Sequence, residues 1–161
     1  MGEDGDDAPE TPVDIDPDAP SAEVAAYVLE NHGYLSWLNI TVEDLEEGRA
    51  VMHLPYQEKL ANWVTGTIHG GVTATLIDTC SAFALRTTMD DPMETTLATT
   101  DLDVKYVRPA TSDVEVEAEV IRSGTSTGVT RVTVTGETDD GEEKIVAIGA
   151  TTYRLFTDSD I

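Results

Sequence analysis

Residues 69 to about 88 hold the one long helical pattern in a chain that otherwise alternates like β-strand, and this confines the fold. Val72, Leu76, Thr79, Cys80 and Phe83 fall on one stripe at helical spacing. Asp90, Asp91 and Pro92 stop the pattern. Two strand-like runs precede it, Tyr34 to Val42 and Arg49 to Leu54, with Glu46-Glu47-Gly48 as the turn between them. Pro55 to Ile68 reads as a loop. Four runs follow: Leu97–Val107, Val114–Ile121, Val129–Thr135 and Lys144–Leu155, with turns at Pro109, Ser123-Gly124 and Asp139-Asp140-Gly141. A shorter helix is expected from Ser21, its cap, to near Asn31 and Gly33. Consecutive strands joined by short turns pair antiparallel, and one long helix covers one face. The expectation is an α+β domain with an antiparallel sheet of about six strands wrapped around a central helix.

The length of 161 residues suits one domain, placed here at residues 21–157. Residues 1–20 are acidic, rich in Pro and almost without apolar side chains, which predicts a disordered tail. The chain carries 32 acids against 9 bases, a net charge of −23. Such a surface repels nucleic-acid phosphates and anionic lipid, so neither partner is expected. A tail alone does not account for the acidity: residues 1–23 hold nine acids, and 23 remain on the body, where Lys occurs only at Lys59, Lys105 and Lys144. Acid spread over the whole body fits a halophile, in which molar salt cuts the Debye length to about 3 Å and screens the repulsion. Cys80 is the only cysteine, so neither an internal disulfide nor a thiolate metal site is expected. No run reaches the length of a membrane span and no secretory signal is visible, which points to the cytoplasm.

The 21 residues 69–89 contain one acid, Asp78, where the chain-wide frequency would give about four. In a protein that places acid wherever water reaches, an acid-poor helix is a buried one. Asp78 points nearly opposite the Val72/Leu76/Phe83 stripe, among Ala74, Thr75, Ser81 and Ala82, all small. A solvated Asp on an exposed face is the plain alternative; the small, acid-free surroundings favour a reactive group beside a ligand. At the start of the segment, Gly70 and Gly71 leave the unpaired first-turn N–H groups open, where they can polarise a carbonyl. His69 beside them is a candidate site residue or a cap. Gly70 and Asp78 lie eight residues apart, about 12 Å along the axis, whereas reacting groups approach to about 3–3.5 Å. If both are catalytic, Gly70 of one subunit must work with Asp78 of another, and a dimer is obligatory.

The run Asn62…Gly66-Thr67-Ile68-His69-Gly70-Gly71-Val72-Thr73-Ala74-Thr75-Leu76-Ile77-Asp78 resembles the signature of the hotdog-fold acyl-CoA thioesterases. Its branch is similar to the phenylacetyl-CoA thioesterases. Asp101-Leu102-Asp103-Val104-Lys105-Tyr106-Val107-Arg108-Pro109-Ala110 resembles the same family's strand-ending segment, and the similarity spans about residues 34 to 156. The resemblance implies the hotdog fold and hydrolysis of an acyl- or aryl-CoA thioester, with Asp78 as nucleophile or general base and the partner subunit's Gly70 N–H as oxyanion donor. It also implies His69 as loop support, a role in orienting water for Thr99, and a role for Asn62, which sits seven residues before His69 where the family pattern has six. Assembly as a dimer, and as a homotetramer of two dimers, goes with the family. No cofactor or metal is expected, since coenzyme A belongs to the substrate and a thioester is already activated. Gly71, Arg108, Arg122 and Trp63 are candidate substrate-binding residues, the two arginines for the CoA phosphates because each ends a strand beside a turn. The arginines could equally be salt-bridge partners. Phe83 and Leu85 could line an acyl pocket or fill the core.

Two other readings compete. A non-catalytic acyl-CoA-binding or sensing protein would share the fold without a competent acid, although no basic patch or helix-turn-helix accompanies this domain. An enoyl-CoA hydratase would pair an Asp with a later His, and no His follows His69.

Overall fold

The computed structural model describes residues 21–156 apart from 91, 93, 94 and 139, with the backbone alone at Ser21. The expected tail, the Ser21 side-chain cap, Asp91 as a stop signal, Asp139 in its turn and residue 157 lie outside the described residues. Helices α1 (Ser21–Asn31) and α2 (Gly33–Leu38) lead into strands β1 (Thr41–Glu46) and β2 (Arg49–Leu54), then the long helix α3 (Gly70–Arg86). Strands β3 (Thr96–Tyr106), β4 (Val114–Ser123), β5 (Thr127–Glu137) and β6 (Glu143–Phe156) complete one sheet of six, ordered β1-β2-β4-β5-β6-β3, with every pairing antiparallel.

The expected strand from Tyr34 is corrected: residues 33–38 are helical and β1 starts only at Thr41. Helical spacing buries Leu35 and Leu38 together, which an extended chain would send to opposite faces. His32 Nδ1 accepts the Leu35 N–H at 3.4 Å to start this turn, and Asn39 at φ 60° ends it in the left-handed region that Asn tolerates.

The core lies between α3 and the concave face of the sheet. Val72, Leu76, Thr79 and Cys80 of the expected stripe are buried and Phe83 is partly so. Burial extends to Thr73, Ile77, Ser81, Ala84 and Leu85, so the sheet wraps the helix on most of its circumference. Leu85 packs with Tyr153 and Leu155, a core position rather than a pocket wall. The helix approaches β6 closely because residue 149 is glycine: a Cβ there would stand 2.8 Å from Ile77 Cγ2 and 2.9 Å from the Asp103 carbonyl oxygen.

Among the described residues strand β3 forms one edge of the sheet and pairs with β6 alone. Its register shifts between Thr99 and Asp101, leaving Thr100 as an inserted residue. Nearly all of β3 is exposed.

Candidate active site

Asp78 occupies the third turn of α3 and is half-buried, facing strands β3 and β6. Two hydroxyls converge on its carboxylate. Thr99, on β3, donates to Oδ1 at 2.7 Å, and Tyr153, on β6, donates to the same oxygen at 2.6 Å. Thr99 and Tyr153 are direct partners in the β3–β6 ladder, so the sheet register delivers both groups to one point. The Tyr153 hydroxyl also reaches the Asp78 main-chain carbonyl at 2.5 Å. Burial pushes the Tyr153 phenol well above its usual range, and its bond to Asp78 pushes in the same direction. Cys80, two residues on, is no rival nucleophile: its thiol is buried against the carbonyls of Ala50 and Val116, and burial pushes it up to about 12.

The first turn of α3 is held by a different set. His69 is the N-cap, and its Nδ1 accepts the Gly71 N–H at 2.9 Å. The Tyr106 hydroxyl donates to the Gly70 carbonyl oxygen at 2.6 Å. The peptide between Gly70 and Gly71 is therefore fixed at both ends. The Gly71 N–H is used by this cap, whereas the Gly70 N–H meets no acceptor among the described residues. A side chain at position 70 would collide with the donor's ring, since a Cβ there would stand 3.1 Å from Tyr106. Gly70 lines a cleft of about 510 Å³ together with Asn62, Thr67, Thr73, Tyr106 and Arg108. Asp78 is not among its lining residues.

Residues 65–143 match the sequence profile of the thioesterase superfamily. A protein of Halobacterium salinarum named provisionally as an esterase is 40% identical over 148 residues, spanning 89% of this chain and 97% of its own. Human acyl-coenzyme A thioesterase 13 is 30% identical over 118 residues, covering 72% of this chain and 79% of its own. The chain belongs to the thioesterase superfamily. In structure it is similar to a thioesterase family protein from Silicibacter pomeroyi, at a TM-score of 0.77 and 22% identity, with 86% of this chain and 99% of that one covered. A thioesterase from Haemophilus influenzae superposes at a TM-score of 0.74 and 20% identity, covering 86% and 92%. These two likenesses establish the hotdog fold, and the membership makes the chain a thioester hydrolase.

Within this thioesterase the sequence-predicted residues divide between the two turns of α3. Asp78 and Thr99 meet at the third turn; His69, Gly70, Gly71, Asn62 and Arg108 gather at the first. Asn62 donates its side-chain N–H to the Thr67 carbonyl and hydroxyl, each at 3.2 Å, and so braces the loop beside the cleft. Trp63 at the loop tip is 96% exposed. Arg108 donates to the Ile145 carbonyl at 2.8 Å and lines the cleft. Arg122 lies beside Ser123, whose hydroxyl bonds Thr88 past the far end of α3, so one chain does not bring the two arginines together. Neither arginine forms an ion pair among the described residues. Tyr106 and Tyr153 escaped the sequence reading. The signal was present, because an inward-phased strand tyrosine must find its hydroxyl a partner.

Proposed function

We propose that this thioesterase hydrolyses an acyl- or aryl-CoA thioester to the free acid and CoA at a site shared between two subunits. The observation that carries the reading is the content of α3: an N–H at Gly70 that meets no acceptor among the described residues and, about 12 Å along the axis, a carboxylate held by two hydroxyls at Asp78. Each is half of a site. The thioester oxygen would accept the partner's Gly70 N–H, which strengthens as negative charge develops on it. Asp78 would either attack the carbonyl carbon or take a proton from the attacking water. In the first route the carbon–sulfur bond breaks as an acyl–aspartyl anhydride forms, and water then cleaves the anhydride to give the free acid and restore Asp78. In the second, hydroxide from water replaces the thiolate directly, and in both the CoA thiolate is finally protonated by a proton derived from water. His69 and Tyr106 would hold the peptide that follows the donor N–H and so fix the residue that carries it, Thr99 would orient the carboxylate or water, and Asn62 would keep the adjoining loop in place. No metal or cofactor is required for a thioester with these groups.

The cleft beside Gly70 suits the CoA arm, with Arg108 as the nearest base for a phosphate, Arg122 reaching it from the partner and Trp63 covering the acyl or pantetheine portion. The 11-residue exposed edge of β3 offers the pairing surface for a dimer. Two dimers would make a tetramer. The acid-rich body, with a 40% identical relative from Halobacterium salinarum, supports a halophilic protein, and we place it in the cytoplasm. Among the described residues no helix is long and apolar enough to cross a membrane.

The test is thiol release from a panel of short-chain, long-chain and aromatic CoA thioesters in molar salt. Turnover of at least one, lost in Asp78→Asn, is expected; full activity in that variant overturns the assignment. Single-turnover hydrolysis in H₂¹⁸O tests the first route, because label in the side chain of Asp78 itself requires an anhydride formed by its attack, whereas direct attack by water labels the acid product alone.

A further inference from the structure

Asp78 is bonded unevenly. Oδ1 receives two hydroxyl protons, from Thr99 and Tyr153, while no donor among the described residues reaches Oδ2. A carboxylate oxygen that accepts two hydrogen bonds loses electron density and is fixed in space. Its twin keeps the basicity and the freedom to react. Tyr153 is the stronger anchor, because it is 3% exposed and its hydroxyl spans the Asp78 side chain and main-chain carbonyl. That pair of contacts ties the rotamer of Asp78 to its own backbone. The ring is held by Leu85 and Leu155, so the hydroxyl has little room to follow a moving carboxylate.

We propose that Tyr153 is the positioning residue of the reaction, holding Oδ1 so that Oδ2 alone meets the substrate or its water. This rests on the thioesterase reading of Asp78 given above. Tyr153 is not a catalytic acid: its proton is bound between two oxygens of one residue, and burial keeps the phenol protonated where proteins are stable. Oδ2 of Asp78 makes the new bond to carbon or accepts the water proton, and Tyr153 keeps its own proton throughout.

Tyr153→Phe removes the hydroxyl and retains the ring. With a CoA thioester that the parent protein turns over, kcat is expected to fall about ten- to a hundredfold with KM changed less than about threefold. In an Asp78→Asn background the same change is expected to alter the residual rate less than about twofold, because a residue acting through Asp78 has nothing left to position. Equal fold-losses in both backgrounds, or a kcat within about twofold of the parent, overturn the proposal. Thr99→Val, at an exposed position, supplies the check if Tyr153→Phe does not fold: it deletes the weaker donor to Oδ1 and should show a smaller loss in kcat, about three- to tenfold, with the same silence in Asp78→Asn. Loss of KM alone in that variant overturns the uneven-carboxylate assignment. Undiminished hydrolysis by Asp78→Asn itself marks failure of the parent reading instead.

Discussion

The first and third turns of α3 present opposite charge chemistry and are supported in opposite ways. At the first turn the proposed functional group is a peptide N–H, and its supports, His69 and Tyr106, are exposed, Tyr106 by 57%. At the third turn the group is a carboxylate, and its main support, Tyr153, belongs to the core. The carboxylate half is thus completed within one chain by the sheet that also stabilises the fold. The donor half is surface structure until something covers it. Damage at the third turn should be fixed in every condition, whereas damage at the first should depend on what packs there.

The largest expected effect is on the carboxylate. Asp78→Asn should lower kcat by about a thousandfold or more, and a loss below tenfold in thiol-release assays would remove the third turn from the chemistry. Gly70→Ala comes next. Its methyl meets the Tyr106 ring and displaces residue 70, which carries the donor N–H, so a loss of about a hundredfold in kcat is expected. Mixing these two inactive variants tests whether the turns act across subunits: random exchange should restore about a quarter of the parent rate, since half of the dimers regain one intact site. No restoration after verified exchange would place both groups in one chain. His69→Ala should cost about 1 kcal/mol of stability through the lost cap, seen as a lower Tm, with a loss in kcat smaller than that of Gly70→Ala. Smallest of all, Cys80→Ala should keep kcat within about twofold, because its buried thiol, pushed up to about 12, stays protonated. A large drop in kcat with an unchanged Tm would return the thiol to the chemistry.

Much of this was legible beforehand where periodicity had length to act on. The stripe from Val72 to Phe83 and the alternation of Ala50, Met52 and Leu54 correspond to α3 and β2, and the four later strands fall within a few residues of their expected bounds. The six-residue α2 misled because Leu38, Ile40 and Val42 alternate like a strand, while a His cap and a left-handed Asn set the actual boundaries. Asp78 was conspicuous for the acid missing around it. Its partners were not, because Tyr153 in a strand reads as core and core is where it lies; only the register reveals that it faces Thr99. Hydrogen bonds across 75 residues of sequence leave no local pattern.

The inserted Thr100 has a consequence for how one edge strand serves both turns of the helix. Thr99 pairs with Tyr153 and Tyr106 with Ala147, so seven steps along β3 match six along β6. Side chains an odd number of steps apart in a regular strand point to opposite faces. The extra residue cancels that parity and turns Thr99 and Tyr106 toward the same helix. Drawing Thr100 into the regular ladder would therefore make the strand choose between its hydroxyl on the carboxylate and its phenol on the Gly70 carbonyl, whereas deleting it leaves six steps against six and both side chains facing the helix.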